Sequence, residues 1–167
     1  MDVTIIAETT VDGLHPVTSQ LVGAAIAIEG TPTVLCPGGI GTTAAASISG
    51  VSKVIGVKGD CFNTFDSGAW AAALNPLVSD GVIIAASAPS GREVAAQIAA
   101  MRGIPIIQDA TELEAGITVT RSIYSGKAIE ISTVTAPCAI TLRANAFDAA
   151  GEGGSAEVST VNQSADV

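Results

Sequence analysis

Aromatic residues make up only 3% of this 167-residue chain, although 48% of it is hydrophobic. A core must therefore be built from Val, Ile and Ala, which suits parallel strands covered by close-packed, Ala-rich helices. The length allows one domain and excludes two ordinary ones. No apolar run approaches the roughly 20 residues that cross a bilayer. The start, MDVTIIAETT, lacks the basic region of a signal peptide and reads as a first strand. The expectation is a soluble, cytoplasmic protein without membrane insertion. Basic residues are scarce too, seven against sixteen acids, for a net charge of −9. They are scattered, so no stripe exists to neutralise phosphates and no nucleic acid is expected.

Reactive side chains are equally sparse. The three cysteines, Cys36, Cys61 and Cys138, form no CxxC and have no histidine cluster beside them, which argues against zinc and thioredoxin chemistry. Cys36 and Cys138 sit in apolar runs and read as core residues. A Ser-His-Asp set would need His15, the one histidine, and no GxSxG elbow surrounds any serine. No catalytic residue and no metal ligand set emerge.

What is present alternates between two grammars. VTIIAE, TVLCP, VSKVIGV, VIIAAS and PIIQD read as strands, and VIIAAS, the most hydrophobic, as the sheet centre. Between them lie helical patterns. The first opens at Pro16, places Leu21, Val22, Ala25 and Ile26 on one face and ends by Gly30. Asp66 caps another, which Pro76 breaks. Ser90-Gly91-Arg92-Glu93 fits a capping box for a helix with Val94, Ala95, Ile98 and Met101 on its apolar face, stopping at Gly103. Such alternation predicts an open, three-layer, Rossmann-like α/β/α sheet, mostly parallel, over residues 1–114. Residues 115–150 contain no helical pattern and read as an antiparallel extension, a hairpin followed by one more strand. Together these make one α/β domain, 1–150. Residues 151–167 read as a flexible Gly/Ser-rich tail.

Two stretches carry candidate binding chemistry. Gly39-Ile40-Gly41-Thr42-Thr43-Ala44 fits GxGxxA after a strand, with Asp60 about 20 residues on to hold a ribose. It falls in the second βαβ unit, before a short helix, and a tight turn explains the glycines as well. ASAPSGRE lies at the carboxyl end of the expected central strand, where open α/β sheets place ligands. There Ser87, Ser90, Gly91 and Arg92 can hold an anion or nucleotide, unless Ser90 is simply a cap.

RSIYSGKAIEISTVTAPCAITLRANAFDAAGEGGSAEV resembles the N-terminal domain of electron transfer flavoprotein alpha subunits. The family's R-P-I-Y-A-G-N-A segment is matched by Arg121, Ile123, Tyr124, Gly126 and Ala128. Its T-x-R-x-x-A-F strand is matched by Thr141, Arg143, Ala146 and Phe147, and its G-G-S-A tail by Gly153 to Ala156. Lys127 replaces the family's asparagine and Ser122 its proline. GVSKVIGV and SGREVAAQIAAMRGIPIIQD also look like family segments, so the likeness runs along the whole chain in order. It implies an adenine nucleotide alpha hydrolase-like fold in which Arg121, Tyr124, Gly126 and Lys127 belong to a structural hairpin. In the family FAD is held by a second, glycine-rich domain that this sequence does not contain, so no FAD is expected on this chain alone. The implied role is a non-catalytic scaffold for a flavin-bearing electron carrier, partnered by a beta-subunit-like or flavin-domain protein. Two other expectations are a stand-alone adenine-nucleotide or anion-binding module and a self-associating domain that forms a homodimer.

Overall fold

The computed structural model describes residues 1–123 and 126–165. The elements run β1 (Asp2–Ile6), β2 (Thr9–Thr10), β3 (Gly13–Leu14), α1 (Val17–Ala27), β4 (Thr31–Pro37), α2 (Thr42–Ala46), β5 (Lys53–Lys58), α3 (Ser67–Leu74), β6 (Val82–Ala86), α4 (Pro89–Arg102), β7 (Ile106–Glu114), β8 (Thr118–Ile123), β9 (Ala128–Thr133), β10 (Cys138–Leu142) and β11 (Glu157–Asn162). Nine strands form one sheet in the order β11-β5-β4-β1-β6-β10-β7-β8-β9, and β2 and β3 form a small separate hairpin. Every pairing in the large sheet is parallel except β7–β8 and β8–β9. β6, Val82–Ala86 of the apolar run VIIAAS, is the middle strand of the nine and every residue of it is buried.

The sheet separates two apolar cores. Leu21, Val22 and Ala25 of α1 and Ala45 of α2 pack on one face with Val3, Ile5, Val34 and Ile140. Ala71 and Leu74 of α3 and Val94, Ala95 and Ile98 of α4 pack on the other with Leu35, Ile83 and Ala139. The result is the three-layer α/β/α arrangement, with helices on both faces of a mostly parallel sheet. Local stop signals act where the chemistry puts them. Asp66 accepts a bond from the Ala69 amide at 3.0 Å and starts α3, Pro76 ends it in a short 3₁₀ turn, and Gly103 terminates α4 with φ +63°.

Four expectations are corrected. The strand after the β8–β9 hairpin, β10, is not part of an antiparallel extension: it returns to the middle of the sheet and pairs parallel to both β6 and β7. Its five residues, CAITL, are all buried, the pattern of a strand covered on both faces. The tail is not wholly flexible, because Glu157–Asn162 forms β11 in register along β5. That strand is too polar to stand out in sequence, and it covers the edge that β5 would otherwise leave open. Ser90 does not cap α4. Pro89, with its preset φ, takes the first helical position, Ala88 sits at the cap without a side-chain bond, and the Ser90 hydroxyl is released for another partner. Finally, Ile26 and Met101 face outward at 44% and 46% exposure, and Ala99 rather than Met101 completes the α4 apolar face.

Candidate functional site

The carboxyl ends of β1, β6, β10 and β7 meet at the sheet centre, where the ASAPSGRE stretch begins. Ser87, one residue past β6, donates from its amide to the Leu142 carbonyl and from its hydroxyl to Thr141 Oγ1, both at 2.8 Å. Thr141 is fully buried and works in both directions: its hydroxyl donates to Gln108 Oε1 and accepts the Asp109 amide at 3.1 Å. Asp109 holds φ at +62°, and its Oδ2 takes a bond from Arg92 Nη1 at 2.7 Å. Ser90 donates to Glu8 Oε1 at 2.8 Å. Burial raises the Glu8 carboxyl above its ordinary value, opposed by that bond and by His15. Gly91 has no side chain because a Cβ there would fall 2.3 Å from the Ala86 carbonyl oxygen, so α4 seats directly on the end of β6.

The side chains nominated here for an anion, those of Ser87, Ser90 and Arg92, therefore already have partners. Asp109 meets the Arg92 charge, Thr141 takes the Ser87 hydroxyl and Glu8 takes that of Ser90. The space among Glu8, Trp70, Ser90 and Val94 is about 10 Å³, room for one water. As built, this edge is a closed polar lock between strands and helix.

The GxGxxA stretch divides into two roles. Gly38, Gly39 and Gly41 have φ of +70°, +72° and +78°, which explains glycine at these turns. A side chain at Gly41 would meet Leu14 Cβ at 2.8 Å, and one at Gly56 would meet Thr42 Cγ2 at 3.0 Å. Gly41 and Thr42 are thus packing residues, and α2, at five residues, offers no helix terminus for a pyrophosphate. The methylene stem of Lys58 lies across Gly39, whose missing Cβ would be 3.1 Å from Lys58 Cε. Beyond this loop opens a cavity of about 420 Å³, lined in part by Gly38, Lys58, Asp60, Phe62, Asn63 and Asn162. Its wall is braced by aromatics: Phe62 and Phe65 meet the Trp70 ring edgewise at 5.3 and 4.9 Å, and Trp70 Nε1 donates to the Cys61 carbonyl at 3.0 Å. Of the expected residues, Asp60 reaches this cavity. Lys58, Asn63 and Asn162 were not singled out, and no motif marks them: Lys58 and Asn162 end strands, and Asn63 ends the 3₁₀ turn after β5.

The hairpin residues lie elsewhere, at the far end of the sheet. Arg121 Nε pairs with Glu130 Oε1 at 2.9 Å, directly across the β8–β9 register. Gly126 turns with φ +84°. Lys127 is exposed and Tyr124 lies outside the described residues. Cys36 and Cys138 are buried, and burial pushes their thiols up to about 12 and about 11; Cys61 is raised as well. Among the described residues, no group of three or more His, Cys, Asp or Glu is arranged to hold a metal, and no helix is long and apolar enough to cross a membrane. His15 accepts the Val17 amide at Nδ1 and so helps start α1.

The model of the electron transfer flavoprotein domain matches residues 3–166. This chain belongs to the electron transfer flavoprotein family. It is 32% identical to the electron transfer flavoprotein subunit alpha of Paracoccus denitrificans and 33% identical to that of Pseudomonas aeruginosa, in each case over 99% of this chain and 56% of the relative. It is 29% identical to the probable mitochondrial electron transfer flavoprotein subunit alpha of Caenorhabditis elegans, over 92% of this chain and 48% of that protein. The chain thus spans about half the length of the curated relatives it matches.

Three of the spaces on this domain do not match the whole of the flavin that the family implies. FAD joins a tricyclic ring, a polyol chain, two phosphates and an adenosine. The central edge leaves about 10 Å³, and a separate cleft of about 410 Å³ beside α1 and β7 carries Glu112, Glu114 and Asp148, which repel a diphosphate. The cavity beside Lys58 offers a single cation for two phosphates.

Proposed function

We propose that this chain is the scaffold domain of an alpha-type electron transfer flavoprotein subunit, working in a complex with a beta-type subunit and performing no redox step on its own residues. The supporting observation is the alpha-subunit likeness along nearly the full chain, at 32–33% identity to two curated alpha subunits, combined with a domain whose central carboxyl edge is filled by its own hydrogen bonds. On this reading the flavin is held by protein outside the described domain, and the nine-stranded sheet supplies a rigid platform for it.

The test is co-expression with and without a beta-type partner, followed by size-exclusion chromatography and flavin absorbance. The chain alone is expected to elute colourless and to co-elute with its beta-type partner, the complex turning yellow when a polypeptide carrying the flavin domain is supplied as well. Stoichiometric FAD on the isolated chain would refute the scaffold reading. A colourless homodimer indifferent to the beta-type chain would refute the partnership.

A further inference from the structure

We propose that the cavity at the carboxyl ends of β5 and β11 binds a ribose 5-phosphate moiety, either as a free sugar phosphate or as part of a mononucleotide. Lys58 and Asn162 are register partners on these two parallel strands, so their side chains leave the same face of the sheet, side by side. The 3₁₀ turn Asp60–Asn63 follows β5 at once and brings a carboxylate and an amide to the same opening. Among the described residues, Lys58, Asp60, Asn63 and Asn162 have no side-chain hydrogen bond or ion pair within the protein. One cation, one carboxylate and two amides, all exposed, thus line about 420 Å³ of open space with their bonding capacity intact.

That donor set has a specific complement. A lysine ammonium meets a phosphate monoester as a point charge. A carboxylate two residues away would repel a bare anion, but it accepts hydrogen bonds from vicinal hydroxyls, as acidic residues at the carboxyl edge of α/β sheets do toward ribose. The two amides can donate to phosphate and ring oxygens or accept from the sugar. Lys58 is held toward this task by Gly39, over which its stem lies, and a larger residue at Gly39 would displace it.

Calorimetry or chemical-shift titration of the full chain with ribose 5-phosphate, adenosine monophosphate, ribose and inorganic phosphate tests the assignment. Ribose 5-phosphate is expected to bind at millimolar or tighter, and more tightly than either ribose or phosphate. Lys58→Met should weaken it about tenfold or more, the loss of one charge-assisted contact. Asp60→Asn should weaken ribose 5-phosphate while leaving phosphate unchanged or tighter. Equal affinities for the two phosphorylated sugars assign the sugar phosphate, and tighter adenosine monophosphate assigns the nucleotide. No binding by folded protein at millimolar ligand, or inorganic phosphate binding as well as ribose 5-phosphate, would overturn the proposal. So would Lys58→Met binding as well as the parent chain.

Discussion

At the end of β6 and at the end of β5, separated in the sheet by β4 and β1, the same kinds of residue meet opposite fates. Past β6, a serine and an arginine are matched by Thr141 and Asp109, leaving room for a single water. Past β5, a lysine, an aspartate and two asparagines face about 420 Å³ of solvent without partners among the described residues. The switch-point rule favours the first edge and composition alone cannot distinguish the two. What decides is partner availability. β10 enters beside β6 and delivers Thr141, whereas β11 enters beside β5 and delivers Asn162, which adds capacity and uses none.

Thr141→Val breaks this comparison most sharply. It keeps the shape but removes the acceptor of Ser87 and of the Asp109 amide, and the donor to Gln108, inside a fully buried site. A loss of about 3 kcal/mol is expected, read by urea unfolding, with a fall of about 6–12 °C in the thermal midpoint. A change below about 0.5 kcal/mol would mean that the lock is not structural. Gly91→Ala comes next: the added methyl meets the Ala86 carbonyl oxygen, so α4 must shift, at about 2 kcal/mol by the same assay. The Arg92–Asp109 pair is partly exposed, 43% and 30%, and a double-mutant cycle should return a coupling of about 0.5 kcal/mol that fades with salt. A salt-independent coupling of several kcal/mol would contradict that.

The smallest effect concerns pH. Burial raises the Glu8 carboxyl above 4.5, so the folded protein holds this proton more tightly than the unfolded chain. The stability this group supplies is complete below 4.5 and is lost as pH climbs through the folded value. Glu8→Gln should flatten that descent, and unfolding curves with identical pH slopes for the two proteins would rule it out.

The parallel part of the fold was readable because its signals are local. TVLCP and VIIAAS are apolar runs of strand length, Asp66 and Gly103 mark helix ends, and each acts within four residues of itself. β10 and β11 were misplaced because their positions depend on strands far away in sequence. CAITL, apolar with a single threonine, did carry the mark of a strand covered on both faces. Ser90 misled because two local rules competed for one helix start, and Pro89 prevailed. At the candidate sites, Arg92 and Asp60 were legible as residue types at strand ends. Whether a group is already engaged was not, since the partners of Arg92 and Ser90 lie 17 and 82 residues away.

The late arrival of β10 constrains how this protein can be made. Strands β1, β4, β5 and β6 on one side and β7, β8 and β9 on the other are not bonded to each other, and residues 138–142 are the keystone that joins them. A nascent chain that has emerged only as far as the hairpin holds two half-sheets, each with a bare apolar margin. The core closes only once residues 138–142 have emerged, so a ribosome pausing before that point exposes a sticky edge that a chaperone or a second nascent chain can find first.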